Sequence, residues 1–237
     1  MIDINCDLGE GFEDKQIIPF ITSANIATGF HAGNPLLMAD CIELCERHQV
    51  HIGAHPSYWD RKNFGRTVQD IPKQELLADL QYQIGALQSM CIARGAQLHH
   101  VKPHGALYNQ AARDSELSET IIEAILSIDS HLILYALSGS ITAKIAKAKG
   151  LKVYQEGFAD RRYLESGQLV PRCQLKSIFE DIEQSLEQAI RLAQKRPITT
   201  IEQQELVITV DTICIHSDHD HASELAKAIH DKLKFSS

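Results

Sequence analysis

What the sequence lacks narrows its function before what it contains is considered. Positive charge is scarce, with 23 Lys and Arg against 31 Asp and Glu and a formal charge of −8. A general nucleic-acid surface, which needs clustered cations to displace counterions, is therefore not expected. No apolar run approaches the roughly 18–20 residues that span a bilayer, and Met1 to Asn5 carry neither a basic nor an apolar leader segment. No CxxC pair occurs among the six cysteines, which fall mostly in apolar contexts. Reduced, buried thiols and a cytoplasmic location are the expectation. The glycines of Gly9-Glu10-Gly11-Phe12-Glu13-Asp14 stop short of a dinucleotide fingerprint, and no Walker A sequence is present. No linker rich in Pro, Gly or Ser divides the chain, so one domain over residues 1–237 is expected.

What is present is an alternation. Short strand-like runs at Ile2–Leu8, 21–29, 50–54, 97–101, 132–137, 151–155 and 212–215 each give way to a polar loop. Helix-like stretches follow most of these loops, notably 72–94, 114–128 and 174–196. A further strand-like run covers 206–210. Asn34-Pro35 reads as an N-cap followed by Pro at the first helical position. Repeated strand–loop–helix units imply a mostly parallel sheet with right-handed crossovers. Polar residues gather at the ends of nearly every strand rather than at one switch point. That distribution favours an α/β fold of the TIM-like (β/α) barrel type, with seven strands, whose loops share one face.

The stretch His100-Val101-Lys102-Pro103-His104-Gly105-Ala106-Leu107-Tyr108-Asn109 shows the pattern most densely. Pro103 ends a strand because it has no N–H to offer the ladder, and Gly105 is expected to permit a turn. Taken over all strand ends, the candidates are Asp7, Glu10, His31, His55, Lys102, His104, Ser138, Glu156, Asp160, Arg161, His216 and Asp218. Two readings of the histidines stand side by side. In one, His31, His55 and His216 join Asp7 as ligands of a divalent metal. In the other they are hydrogen-bonding or acid–base groups without a metal. Ser138-Gly139-Ser140 reads as an N-cap and a glycine turn, or as an anion-holding helix start. His219 and His221 are expected at the surface. His99 and His100 are expected to point one inward and one outward. Lys102, at the end of an apolar strand, needs an anionic partner or a lowered pKa.

Longer segments resemble the LamB/YcsF family. They include Asp3-Ile4-Asn5-Cys6-Asp7-Leu8-Gly9-Glu10-Gly11-Phe12, Gly29-Phe30-His31-Ala32-Gly33, Ile52-Gly53-Ala54-His55-Pro56-Ser57-Tyr58, Phe64-Gly65-Arg66, His100 to Asn109 and Phe158-Ala159-Asp160-Arg161. These matches run in order across nearly the whole chain. The resemblance implies a barrel of the glycoside hydrolase/deacetylase type and a role in cleaving 5-oxo-L-proline to L-glutamate with ATP hydrolysis. Separate 5-oxoprolinase subunits B and C are the implied partners. On that reading Asp7, Glu10, His55, Lys102, His104 and Glu156 are catalytic candidates. His31, Arg66, Ser138, Asp160, Arg161, His216 and Asp218 are then expected to hold substrate or phosphate. ATP enters as co-substrate with Mg²⁺ on Asp7, Glu10 or Glu156, and a tightly bound transition metal stays open. The alternatives are a stand-alone metal-dependent hydrolase, such as a carbohydrate deacetylase, and a non-catalytic ligand-binding subunit. The sequence departs from the family pattern at Thr28, Asn34, Trp59, Lys176-Ser177 and Ser217, of which Thr28 and Ser217 adjoin candidate histidines.

Overall fold

The computed structural model describes residues 2–218 and 221–234. Seven parallel strands close into a barrel. In chain order they begin with β1 (Asp3–Leu8), β2 (Ser23–Ala27), β3 (His51–His55), β4 (Leu98–Val101), β5 (Ile133–Leu137) and β6 (Val153–Phe158). A small antiparallel ribbon, β7 (Ile198–Thr199) and β8 (Glu205–Leu206), stands outside the barrel, and β9 (Thr212–Ile215) closes it between β6 and β1. Around this wall lie the helices α1 (Asp14–Ile17), α2 (Pro35–His48), α3 (Lys73–Ala93) and α4 (Gly105–Ala111). They are followed by α5 (Ser115–Ile128), α6 (Ile141–Ala148), α7 (Ile182–Ala193) and α8 (Ala222–Lys234).

The period of a strand explains the wall. Alternate residues point to opposite faces, and in β1 the even positions Ile4, Cys6 and Leu8 join the apolar core beneath the helices. Ala24 and Ile26 of β2 and Ile52 and Ala54 of β3 do the same. They meet Leu76, Leu80, Ile84 and Leu87 of α3 and Met38, Cys41, Ile42 and Cys45 of α2. The odd positions Asp3, Asn5 and Asp7, with Ser23 and Asn25, face the barrel axis. TIM-type barrels ordinarily fill that space with branched aliphatic side chains; here it is filled by polar groups. Burying such groups is tolerable only when each is hydrogen-bonded, and they are.

Close packing inside the wall depends on one glycine. His100 projects into the axis from β4, and a Cβ on Gly53 of the neighbouring β3 would sit 2.1 Å from its Nε2. The register of β3 against β4 shifts at this point, between Ile52 and Gly53.

Several element boundaries differ from the sequence reading. The turn expected at Gly105 is the first residue of α4, entered with a φ of 53°. The stretch 174–196 is not one helix, because α7 begins only at Ile182, where Asp181 accepts a hydrogen bond from Glu183 N–H. Ile178, part of the apparent apolar stripe, instead pairs with Arg161 in an antiparallel bridge. The strand read as 151–155 runs on to Phe158, so Glu156 belongs to the wall and not to a loop. Asn34 caps α2 as expected, accepting from Leu36 and Leu37 N–H. Of the six cysteines, Cys173 is exposed and the other five are buried; all are free thiols.

Candidate active site

The strand ends open into one cavity of about 690 Å³. Its floor carries Asp7, Glu10, His55, Lys102, His104 and His216, and its wall includes Arg66, Arg113, Arg161 and Arg172. Asp218 also lines the cavity, bonded to Arg66 at 2.6 Å and to Arg172 at 3.2 Å.

Lys102 is the centre of the floor. Its ammonium lies 3.0 Å from Asp7 Oδ1, 3.0 Å from Glu156 Oε1, 3.2 Å from Asn5 Oδ1 and 3.0 Å from Cys214 Sγ. Burial alone would drive the lysine toward neutrality. The Asp7 and Glu156 carboxylates outweigh it and hold the pKa well above its ordinary value. Burial would likewise raise Asp7, but His55 and Lys102 beside it hold the carboxyl well below the usual carboxylate range. The charged forms of both groups therefore persist at neutral pH in a site from which water is largely excluded.

The polar interior positions this floor from below. Asn25 Nδ2 donates to Asn5 Oδ1 and Asp7 Oδ1, each at 2.8 Å. Asn5 Nδ2 donates to Glu156 Oε1 at 2.9 Å and to Thr212 Oγ1 at 2.7 Å. Tyr108 donates to the other Glu156 oxygen at 2.6 Å. Since Asn25 turns its amide nitrogen toward two acceptors, its oxygen must receive the proton of His100 Nε2, 2.8 Å away. Farther down, Thr212 donates to Asp3 Oδ2 at 2.5 Å, and Thr22 and Ser23 donate to Asp3 Oδ1 at 2.6 Å. His100 stacks on Tyr135, and His99 stacks on His51 at the barrel's opposite end. As expected, one of the pair is inward and buried, and His99 is only half-buried.

Beside Lys102 stands a second group, Glu10, His31, His55 and His104. Glu10 Oε1 is 2.8 Å from His31 Nε2, and His104 Nδ1 is 2.9 Å from His55 Nε2. Burial, then Asp7 and Asp218, raise the Glu10 carboxyl well above its ordinary value. Burial pushes His31 and His104 well below theirs. The loop Phe64-Gly65-Arg66 closes over these rings. A Cβ on Gly65, whose φ is 67°, would strike His104 and His31 at 2.8 Å, so only glycine fits.

The candidate residues thus separate into three sets. Asp7, Glu10, His55, Arg66, Lys102, His104, Arg161, His216 and Asp218 line the cavity. His31, Glu156 and Asp160 lie behind the lining: His31 under Glu10, Glu156 under Lys102, and Asp160 accepting from His216 Nδ1 at 2.7 Å. Ser138 joins neither group, because its hydroxyl donates to the Thr209 carbonyl at 2.7 Å and Ser140 is the cap of α6. The metal set read from strand ends is also rearranged. His31 and His55 gather with Glu10 and His104, whereas Asp7 and His216 gather with Cys214. His221 is exposed beside Glu224, as expected; His219 lies outside the described residues. Asn5, Asn25, Tyr108, Cys214, Arg113 and Arg172 were not among the sequence candidates. The first two share the strand parity of Asp7, a signal that was available.

Comparison with known proteins gives this geometry its context. Residues 2–237 match the sequence model of the LamB/YcsF family. The chain belongs to the LamB/YcsF family. It is 42% identical over 238 residues to the A subunit of 5-oxoprolinase from Geobacillus thermodenitrificans, covering 98% of this chain and 93% of that one. Identity to the corresponding 5-oxoprolinase component of Syntrophobacter fumaroxidans is 44% over 240 residues, covering 99% and 95%. The solved lactam utilization protein from Thermus thermophilus superposes with a TM-score of 0.92 at 38% identity, covering 99% of this chain and 96% of that one. Two of the positions expected to depart from the family pattern have partners inside the protein. Thr28 donates to Gln83 Oε1 at 2.9 Å behind the histidines, and Ser217 donates to the Asp7 carbonyl at 2.9 Å. Neither side chain lines the cavity.

Proposed function

We propose that this LamB/YcsF chain is the A subunit of an ATP-dependent 5-oxoprolinase, contributing to the cleavage of 5-oxo-L-proline to L-glutamate with ATP hydrolysis. It would act in a complex with B and C subunits. The observation that carries the reading is one cavity joining a buried Asp7–Lys102 floor, backed from beneath by Glu156, to a wall bearing Arg66, Arg113, Arg161 and Arg172. A volume of about 690 Å³ accommodates more than a small lactam and suits a ligand of nucleotide size. Arg161 offers in addition a buried Nε with no hydrogen-bond partner among the described residues. Guanidinium groups match carboxylate and phosphate by paired, charge-assisted bonds.

Resonance makes a five-membered lactam a poor electrophile, and its nitrogen leaves reluctantly. In the proposed sequence the lactam oxygen attacks the γ-phosphorus of ATP, an O–P bond forms, and ADP departs. Water then adds to the activated carbon, giving its proton to the Asp7 carboxylate. Loss of phosphate at that stage would only restore the lactam, so the C–N bond must break first. Asp7 returns the proton to the ring nitrogen, which leaves as an amine while the new hydroxyl gives its proton to Asp7 and becomes the carbonyl of an acyl phosphate. A second water hydrolyses the resulting acyl phosphate to glutamate and phosphate. Lys102 stabilises charge on the phosphorylated oxygen and, with Asn25 Nδ2 at 2.8 Å from the same Asp7 Oδ1, orients the carboxylate. Magnesium accompanies the nucleotide in this reading. The floor suits it poorly, since Asp7 and Glu156 already bond Lys102 and Glu10 sits among imidazoles, whereas magnesium seeks oxygen ligands.

The test is 5-oxoproline-dependent phosphate release from ATP by this chain mixed with candidate B and C subunits. Turnover should require all components. Equal turnover by the mixture without this chain would overturn the assignment.

A further inference from the structure

We propose that Glu10, His31, His55 and His104 bind one divalent first-row transition-metal ion of the zinc class. The four side chains offer one ligand atom each, all within 4.8 Å of one another. Glu10 Oε1 is 2.8 Å from His31 Nε2, 3.5 Å from His104 Nδ1 and 3.9 Å from His55 Nε2, and the last two nitrogens are 2.9 Å apart. Ligands at about 2.0–2.1 Å from a tetrahedral ion stand about 3.3 Å from each other. The observed separations bracket that value.

The placement of protons points to a cation. His55 Nδ1 faces the carbonyl oxygen of Lys102 at 2.6 Å, and His104 Nε2 faces that of Phe64 at 2.8 Å. A carbonyl has no proton to give, so both nitrogens are N–H donors. His31 Nδ1 lies 2.9 Å from Ser57 Oγ, whose own proton goes to the Tyr58 carbonyl at 2.9 Å, so His31 donates there too. In each neutral ring the remaining nitrogen is a bare lone pair, and it is these nitrogens that converge. His55 Nε2 and His104 Nδ1 then confront each other with no hydrogen between them. Donation of the outer N–H to a carbonyl or hydroxyl is how metal-ligating histidines are oriented. Three imidazoles and a carboxylate suit zinc and its neighbours. Without a metal the cluster needs two additional buried protons, one between His55 and His104 and one between His31 and Glu10.

Glu10, His55 and His104 line the cavity, so an ion here would be reached from it; His31 closes the site from behind, stacked on His104 at 3.7 Å. The inference rests on ring geometry and not on the lactam reading. Metal binding without 5-oxoproline turnover would sustain it alone, and turnover by a metal-free chain would sustain only the other.

The experiment strips the purified full chain with a chelator and titrates it with zinc by calorimetry. Metal content is then measured after gel filtration, in parallel with Glu10→Gln and the double variant His55→Gln/His104→Gln. Circular dichroism checks that each is folded. One zinc per chain should be retained, magnesium should not compete, and both variants should weaken binding at least 100-fold. Cobalt added to the stripped wild-type chain should give the visible absorption of a nitrogen-ligated ion, a readout that holds even where a variant does not fold. The proposal is overturned if the folded wild-type chain retains no zinc and gives no such cobalt spectrum. Equal stoichiometry and affinity in a folded variant would also overturn it, by placing the metal on surface histidines such as His131.

Discussion

The two faces of the barrel wall are made of the same strands and do opposite work. Outward, Ile4, Cys6, Leu8, Ala24, Ile26, Ile52 and Ala54 pack under helices in the apolar core. Inward, Asn5, Asp7, Asn25, His100, Lys102, Glu156 and Thr212 share one hydrogen-bonded network. The outer face stabilises by removing apolar area from water. The inner face removes charge and amides from water, which costs stability unless every partner is in place. An apolar interior would be easier to fold; the polar one supports an ionised Asp7 and Lys102 beneath a cavity. The difference is that outer residues are individually replaceable by others of similar volume, whereas inner residues depend on one another.

That contrast can be broken first at Lys102. Lys102→Met keeps much of the side chain's length but leaves Asp7 and Glu156 buried without their cation. Unfolding by urea should show a loss of about 3–5 kcal/mol, the range for breaking a buried ion pair from one side. A loss below about 1 kcal/mol would mean that the network rearranges as freely as the outer face. Gly53→Ala is the next largest effect. The added Cβ meets the His100 ring at 2.1 Å, so His100 must leave Asn25 or β3 must shift. A cost of about 1–3 kcal/mol is expected, as for overpacking. Ile26→Val on the outer face is the matched comparison and should cost only about 0.5–1.5 kcal/mol.

The smallest effect concerns pH. Burial pushes His99 down to about 4 and His100 well below its ordinary 6.5, so both are neutral when folded. The unfolded chain binds protons at these groups as pH drops through about 6.5, the ordinary histidine value, and stability must fall in that direction. Their contribution is complete above pH 6.5 and is lost progressively on acidification toward pH 4. The urea midpoint should fall between pH 7 and pH 5, and less steeply for His100→Gln. An unchanged slope in that variant would remove His100 from the account.

Much of the wall was legible because it has a period. Seven strands, their parallel order and the loop ends at Asp7, His55, Lys102 and His216 follow from alternation and from where apolar runs stop. Side-chain parity was legible too, and would have flagged Asn5 and Asn25 beside Asp7. Helix content was less so. Ile178, Ile182, Leu186 and Ala189 look like one stripe, but Asp181 starts the helix within it, because a carboxylate that accepts a backbone N–H competes with continuation of the helix upstream. The grouping of Glu10 with His31, His55 and His104, apart from the other strand-end candidates, had no spacing signature. Those residues come singly from different strand ends, and only barrel closure decides which of the twelve histidines meet. Glu156 was misplaced for a related reason: its burial is supplied by Asn5, Tyr108 and Lys102 from distant segments, not by its neighbours in sequence.

The most direct test of the central claim, that the inner wall exists to present Asp7 in charged form to the cavity, is Asp7→Asn. The amide has nearly the shape of the carboxylate but neither its charge nor its capacity to accept a proton. 5-Oxoproline-dependent ATP hydrolysis should be measured in the mixture with B and C subunits, at a temperature where the variant is shown to be folded. The account predicts a fall in turnover of at least about 10²-fold, the lower range for loss of a positioned acid–base group. Turnover within about twofold of the parent chain, well inside that 10²-fold range, would contradict it.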